Sequence, residues 1–229
     1  LQQAENALSD HQIQLLLDAS GQRQALDLLA TMDLRQLGAE LLIRLTDRLG
    51  EDALQHGIVV AALAIRLGIG IGLPLEELLR LGMAGLLHDC GKLYLEHPEV
   101  DAQQTDLAII RQVIAHPLLG ALALSQLGTL PGDVIDAIRV HHERQDGSGY
   151  PHGGQGFIMS DVAQALAIAN LIDDNLRQSS HGLAMAETAL HLAAGAYEPR
   201  LLDEAIRVIQ QARRNSPLPD SSELKAPDS

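Results

Sequence analysis

The chain has 229 residues, of which 46% are hydrophobic and only 2% are aromatic, with no tryptophan. A core of this size built from Leu, Ile, Val and Ala favours packed helices over sheets, so the sequence predicts an all-α globular protein. The net charge of −14 argues against non-specific binding to a nucleic-acid polymer, because the surface as a whole repels phosphate. An anionic ligand therefore needs metals or a local basic pocket.

Residues 1–50 show helical periodicity in two stretches, which the small and flexible segment Ala19–Gly21 helps to separate. No cluster of chemically active side chains lies there, so we expect a helical arm or linker. Because the chain begins with Leu1 rather than Met, we also expect it to be part of a longer protein with a preceding sensor domain. The longest apolar run, Gly57–Ile65, is too short to cross a bilayer, and the sequence predicts no membrane span.

A helix is predicted from about Glu51 to Leu67, and it carries one imidazole, His56. Asp52 lies one turn before His56, on the same side of the helix. A lone histidine on an apolar helix is usually a core residue with a satisfied hydrogen bond. His56 becomes a candidate metal ligand only in combination with the clusters that follow.

The stretch from Pro74 to Lys92 predicts a buried helix that ends in His88 and Asp89, an adjacent imidazole and carboxylate. Gly91 permits a tight turn of the backbone, and Lys92 places an ammonium beside any anion that the metals hold. The residue types in this stretch are typical of a metal site rather than of packing.

Cys90 is the one cysteine in the sequence, which excludes an intrachain disulfide and fits a reducing compartment. A role as a metal ligand is conceivable at this position. We favour a small buried side chain, since a free cysteine is most often simply packed.

Two further helices are predicted to deliver histidines. One runs from about Asp106 and is expected to end at His116, because Pro117 disfavours helical geometry in the residue before it. The other runs from Asp133 to about Arg144 and carries His141 and His142. Adjacent helical residues point about 100° apart, so these two imidazoles either contact neighbouring metals or act as one ligand and one outer residue.

The segment from Gln145 to Phe157 is rich in glycine and is predicted to be a loop that forms a lid or a partner surface beside the metal site. Helix returns from Asp161 to Gln178 and from about Glu198 to Arg214. Residues 215–229 are poor in apolar side chains and are predicted to be disordered. We therefore divide the chain into an arm or linker at 1–50, a domain at 51–214 and a tail at 215–229.

Three motifs occur together in a diagnostic order: His88-Asp89-x-Gly91-Lys92, then His116-Pro117-x-x-Gly120, then His141-His142-Glu143-Arg144-x-Asp146-Gly147-x-Gly149-Tyr150-Pro151. They resemble the HD-GYP domains, a branch of the HD superfamily of metal-dependent phosphohydrolases. The resemblance implies an all-α helical bundle with a Gly-Tyr-Pro loop. It also implies two or three iron or manganese ions, and hydrolysis of the bacterial second messenger cyclic di-GMP to pGpG or GMP.

The resemblance also implies roles for individual residues. The expected metal ligands are His56, His88, Asp89, His116, His141 and His142, with Asp89 bridging two ions. Asp89 and Lys92 are the expected catalytic residues, and Lys92 would contact the scissile phosphate. Arg144 and Tyr150 are candidate ligand-binding residues. The Gly-Tyr-Pro loop is implied to contact partners, including diguanylate cyclase (GGDEF) domains.

The sequence departs from the family pattern on the helix after the loop. Asn170 stands where the family has a ligand aspartate, so it can offer an amide oxygen but no charge, and we expect weak binding there. Asp173 and Asp174 lie one turn further along and are not obvious replacements. A basic family segment is also replaced, and only Arg177 remains near it. The acidic ligand of a third metal is best matched by Asp52.

Three hypotheses follow for the function. The first is a cyclic di-GMP phosphodiesterase, and the second is a catalytically weak domain that binds cyclic di-GMP or a partner protein. The third keeps the hydrolytic chemistry and changes the substrate to another nucleotide or cyclic dinucleotide.

Overall fold

The computed structural model describes residues 2–32, 39–96, 107–154, 158–178 and 181–216. These residues form helices and turns, as the sequence predicts, and no strand occurs among them. The α-helices are α1 Gln2–Ala7, α2 His11–Thr31, α3 Ala39–Leu49, α4 Glu51–Gly70, α5 Leu75–Leu87, α6 Leu107–Leu127, α7 Gly132–Val140, α8 Asp161–Arg177, α9 Gly182–Leu192 and α10 Pro199–Asn215. A short 3-10 helix, Cys90–Tyr94, follows α5.

Helix α4 lies at the centre of the bundle and packs against α5 and α8. Its residues from Ile58 to Ile65 are buried on every side, which is expected of a helix that is apolar all round. By length and composition α4 alone among the described helices could cross a membrane, but 67% of its apolar window is buried inside the protein. This burial is typical of the core helix of a globular bundle.

The close contact between α4 and α5 positions the first part of the metal site. A Cβ on Gly85 would lie 2.4 Å from the Cα of Ala61, and a Cβ on Gly57 would lie 3.2 Å from the carbonyl oxygen of Leu86. Glycine at these two positions lets the helix backbones approach closely. As a result His56 on α4 and His88 at the end of α5 face each other.

The N-terminal helices pack on the same core as the rest of the chain. Leu8, Leu16 and Leu17 are buried against it, and α1 and α2 both contact α4. Helix α2 is kinked at Asp18, where φ is 49°, which is close to the break predicted at Ala19–Gly21. The boundary predicted at residue 50 stays a prediction. Of the predicted tail at 215–229, residues 217–229 lie outside the described residues.

Candidate metal centre

His88 and Asp89 lie directly after α5 rather than within it. The α-helix ends at Leu87, and the chain then tightens into the 3-10 helix, so the continuous helix predicted up to Lys92 is wrong. The tightening has a physical reason in Gly91, where a Cβ would lie 1.8 Å from the carbonyl oxygen of His116. The absence of a side chain at Gly91 lets this turn press against α6, which brings Asp89 close to His116.

Helix α6 continues through Pro117, and the predicted helix end at His116 is therefore wrong. Proline has no N–H, so it leaves the carbonyl of Val113, four residues earlier, without its helical partner. The Nδ1 of His116 takes that place and donates to the Val113 oxygen at 2.5 Å. The proline thus frees the carbonyl that orients the His116 imidazole.

The same arrangement orients two more imidazoles. Nδ1 of His88 donates to the carbonyl of Gly85 at 2.8 Å, and Nδ1 of His141 donates to the carbonyl of Ile138 at 2.7 Å. A carbonyl only accepts hydrogen bonds, so the proton of each neutral ring lies on Nδ1. Nε2 of His88, His116 and His141 is therefore left with a free lone pair, which is the form that binds metals.

Two groups of donor atoms converge inside the bundle: His56, His88 and Asp89, and His116, His141 and His142. Within each group the potential ligand atoms all lie within 4.8 Å of one another. Asp89 joins the groups, because its Oδ2 is 3.6 Å from Nε2 of His56 while its Oδ1 is 3.2 Å from Nε2 of His116. The structure thus brings together the six residues that the sequence analysis singled out as ligands.

The donor atoms also fit divalent metal ions on chemical grounds. Nε2 of His116 and Nε2 of His141 lie 3.2 Å apart, although both rings already donate through Nδ1. Two lone pairs at this distance repel each other unless a cation lies between them or beside them. Imidazole nitrogens and carboxylate oxygens are the ligands that transition metals such as iron and manganese accept.

The electrostatics of the site keep His88, His141, His142 and Asp89 in the metal-binding form. Burial lowers the pKa of His88 to about 4, and burial and the neighbouring imidazoles hold the pKa of His141 and His142 well below the usual value. Burial alone would raise the pKa of Asp89. Lys92 and the nearby histidines outweigh it and hold that pKa well below the usual value. At neutral pH the rings of His88, His141 and His142 are therefore neutral, and Asp89 is ionised.

Lys92 forms an ion pair with Asp89, the carboxylate that lies between the two donor groups. Its Nζ lies 2.6 Å from Oδ2 of Asp89. Burial lowers the pKa of Lys92, but the attraction to Asp89 raises it more, so the side chain remains an ammonium. A positive charge is therefore fixed at the edge of the site, next to the group that joins the two sets of donors.

Asp173 is a functional residue that the sequence analysis undervalued. Its Oδ2 accepts hydrogen bonds from Nδ1 of His56 and from Nε of Arg177, each at 2.6 Å. His56 has no backbone carbonyl at Nδ1 like those of the other three rings, and Asp173 takes that role. The signal in the sequence was the spacing of Asp173 and Arg177, which places them on one face of a helix.

The Gly-Tyr-Pro loop covers His142. The Tyr150 ring stacks on the His142 ring with centroids 4.4 Å apart and an angle of 21°. The fully buried carboxylate of Glu143 accepts hydrogen bonds from the backbone N–H groups of His152 and Gly153 at 2.5 and 3.2 Å. Arg144, a candidate ligand-binding residue, contacts Ser148 of the loop at 3.4 Å. The predicted loop is irregular over its described part, 145–154.

Three further candidate metal ligands, Asp52, Cys90 and Asn170, lie outside the two donor groups. Asp52 is exposed in the first turn of α4, outside both donor groups. Cys90 is fully buried, burial raises the pKa of its thiol to about 12, and it belongs to neither group, which agrees with the packed role that we favoured. Asn170 is buried on α8, and its Oδ1 has no hydrogen-bond partner among the described residues.

Known proteins resemble this chain in sequence. It is 30% identical over 162 residues to a cyclic di-GMP phosphodiesterase of Pseudomonas aeruginosa, covering 67% of this chain and 38% of that protein. It is 31% identical over 138 residues to the 3'3'-cGAMP-specific phosphodiesterase 1 of Vibrio cholerae, covering 58% of this chain and 31% of that protein. The chain thus spans well under half the length of these relatives.

Solved structures share the fold. An HDG"Y"P protein from Bdellovibrio bacteriovorus superposes with a TM-score of 0.61 at 18% identity, covering 91% of this chain and 77% of that one. The HD domain of the Listeria monocytogenes phosphodiesterase PgpH, in complex with cyclic di-AMP, superposes with a TM-score of 0.58 at 14% identity, covering 77% and 95%. The family model of the HD domain matches residues 31–201, and the chain therefore belongs to the HD domain family, as its HD-GYP resemblance predicted.

Proposed function

We propose that this chain is a metal-dependent phosphodiesterase that hydrolyses cyclic di-GMP to pGpG, to GMP or to both. The observation that carries the proposal is the pair of donor groups joined by Asp89, with the Lys92 ammonium beside it. The names of two relatives, one for cyclic di-GMP and one for 3'3'-cGAMP, support a cyclic dinucleotide as the substrate.

The proposed ligands are divided between two iron or manganese ions. One ion would be held by His56 and His88 and the other by His116, His141 and His142, with Asp89 as the ligand shared between them. Asn170 is proposed as a weaker ligand, because its amide oxygen is buried and unpaired but uncharged. Asp52 remains the candidate for a third ion, on the basis of its position one turn before His56. When bound, such ions lower the pKa of a coordinated water and stabilise the charge that develops on a phosphodiester.

The residues of the chain prepare the site for a phosphodiester in three ways. Asp173 and the three backbone carbonyls fix the orientation of the histidines, so the site is organised before the substrate arrives. Lys92 provides a permanent positive charge for a phosphate oxygen. The Tyr150 ring covers one side of His142 and restricts the access of water there. Arg144 and Tyr150 are proposed to contact the rest of the ligand.

Turnover of cyclic di-GMP tests the proposal directly. We expect the protein loaded anaerobically with manganese or iron to release pGpG or GMP, separated by chromatography. Asp89→Ala is expected to lose at least 100-fold in rate because it removes the bridge, in the range seen when electrostatic groups are removed from active sites. The control Asp203→Ala changes an exposed aspartate of α10 and should keep the wild-type rate.

Parallel reactions with 3'3'-cGAMP and cyclic di-AMP define the substrate. If none of the three is hydrolysed while cyclic di-GMP still binds, the hydrolase proposal is wrong. The second candidate, a receptor with a weakened site, is then correct. Asn170 in place of a charged ligand is the observation that favours that candidate.

We also propose a setting and a partner for the domain. Residues 51–214 would form the catalytic domain in the bacterial cytoplasm, where cyclic di-GMP acts, and the Gly-Tyr-Pro loop would contact GGDEF domains. The loop is suited to this role because Asp146, Ser148 and His152 are exposed on it while Glu143 anchors its backbone. Co-precipitation of a GGDEF domain that is lost with Asp146→Lys would support the contact, and unchanged capture would contradict it.

A further inference from the structure

Helix α8 carries a buried amide with an unused acceptor. Asn170 is only 4% exposed, and its Oδ1 has no hydrogen-bond partner among the described residues. A buried polar atom without a partner is costly, so such an atom in a folded protein indicates a bound water or ion. Asn170 lies one turn before Asp173, the residue that holds His56. The unused oxygen is therefore carried by the helix that already contacts the metal centre.

The orientation of this amide is set by Asp174, one turn further along α8. Nδ2 of Asn170 donates to Oδ2 of Asp174 at 3.2 Å. An ionised carboxylate can only accept hydrogen bonds, so it attracts the NH2 end of the amide and turns the oxygen the other way. Without Asp174 the two ends of the amide would be free to exchange, and an NH2 group cannot bind a metal.

The charges around Asp174 place it beside the same site. Loss of water around the carboxyl raises its pKa, His56 and Lys92 act in the opposite direction, and Asp89 and Asp173 act in the same direction. Asp174 also contributes to the raised pKa of Tyr150. Asp174 therefore lies within electrostatic range of His56, Asp89 and Lys92 and of Tyr150 in the loop, although much of its side chain still reaches solvent.

We infer that Asp174 is a positioning residue that turns the Asn170 amide so that its oxygen is presented to a metal ion. The pair of residues would replace the single aspartate expected at position 170, with the oxygen supplied by one side chain and its orientation by the other. This inference rests on the proposed metal-dependent function.

A double-mutant cycle on metal affinity tests the inference without measuring turnover. Manganese is titrated calorimetrically into the metal-free protein and into Asp174→Asn, Asn170→Asp and the double variant. We expect Asp174→Asn alone to lower the manganese affinity of one site about tenfold. The new amide at position 174 can both donate and accept, so it no longer fixes the orientation of the Asn170 amide. Asn170→Asp alone is expected to bind more tightly, since it adds charge. In the Asn170→Asp background, adding Asp174→Asn should lower the manganese affinity by less than about threefold, because a carboxylate at position 170 presents an oxygen in either orientation.

The outcomes separate the inference from the function on which it rests. If the wild-type chain binds fewer than two manganese ions, the proposed function fails. If it binds two and Asp174→Asn changes nothing, Asp174 has no role and the inference alone is wrong. An equal tenfold loss in both backgrounds would also overturn it, because Asp174 would then act only as a distant charge.

Two controls exclude an effect on folding. Asp203→Asn makes the same chemical change at an exposed position of α10 and should leave manganese binding unchanged. The metal-free melting temperature of Asp174→Asn should equal that of the wild type within a few degrees, because Asp174 is exposed. A large fall in that temperature would mean that Asp174 stabilises the fold, which would contradict a positioning role.

Discussion

Asp173 illustrates how a single buried carboxylate determines the chemistry of a neighbouring ring. It is 2% exposed, and one of its oxygens accepts both the Nδ1 proton of His56 and the Nε proton of Arg177. The bond to His56 keeps the proton on Nδ1, which leaves Nε2 free to face Nε2 of His88 at 3.1 Å. The role of Asp173 is therefore to select the tautomer of His56.

Replacing Asp173 by asparagine should weaken metal binding while keeping the shape of the side chain. An asparagine can turn its NH2 group toward His56, which favours the proton on Nε2, where it blocks coordination. Loss of such an outer partner typically costs 10- to 100-fold in metal affinity. We expect a loss of about this size in a calorimetric manganese titration of Asp173→Asn. An affinity within threefold of the wild type would show that the His56 tautomer does not depend on Asp173.

At the scale of elements, the Gly-Tyr-Pro loop is held by one side chain. Three hydrogen bonds reach the buried carboxylate of Glu143, from the backbone N–H groups of His152 and Gly153 and from Nδ1 of His152. The loop also rests directly on the chain before it, since a Cβ on Gly149 would lie 2.4 Å from the carbonyl oxygen of His142. The stack of Tyr150 on His142 depends on both contacts.

Glu143→Gln should loosen this loop and lower stability. The glutamine keeps one oxygen but turns an NH2 group toward backbone donors, so at least one buried donor loses its acceptor at a cost of about 1–3 kcal/mol. For a chain of this size that corresponds to a melting temperature lower by about 2–4 °C per kcal/mol. Hydrogen exchange of residues 147–153 should accelerate in the same variant.

The exposed carboxylate of the same loop serves as the control. Asp146→Asn keeps a local turn with Ser148 and should shift the melting temperature by no more than about 1–2 °C, since exposed substitutions are usually within about 0.5 kcal/mol. Equal effects of the two substitutions would show that Glu143 does not anchor the loop.

The identities of the residues in the site could be predicted from the sequence more readily than their geometry. The family resemblance predicted all six residues of the two donor groups, and five of them lie in the three motifs, at a helix end or on a helix face. The continuation of α6 through Pro117 was not predictable from the sequence. The general rule is that proline disfavours helical geometry in the residue before it. Here the His116 side chain donates to the Val113 carbonyl that proline leaves without its helical partner. The role of Asp173 also escaped notice, because its partner His56 lies 117 positions away in the chain. Glu143 bonds to His152 and Gly153 only nine and ten positions later, but the loop conformation that brings them together does not follow from the residue pattern.

At the scale of the whole molecule, the contacts of the N-terminal helices α1 and α2 indicate whether the chain has a separate arm or one folding unit. Leu17 on α2 is fully buried, and it belongs to the same core as α4 and α8. Gln12 adds a polar contact, since its Oε1 accepts from the backbone N–H of Leu183 at the start of α9 at 3.2 Å. The family model begins at residue 31, so α1 and nearly all of α2 lie before the part of the chain that it matches. We infer from this shared core that residues 2–32 fold together with the bundle around α4.

Leu17→Ala measures this cooperation. If α2 is part of one cooperative unit, removing a fully buried leucine side chain should cost about 2–5 kcal/mol and lower the midpoint of a single unfolding transition seen by all probes. Leu192→Ala is the matched control, because Leu192 is 82% exposed on α9 and its loss should change stability by less than about 0.5 kcal/mol. If α2 is instead an independent arm, Leu17→Ala should leave the main transition unchanged. The boundary at residue 50 would then stand, and the core around α4 would be stable without the N-terminal helices.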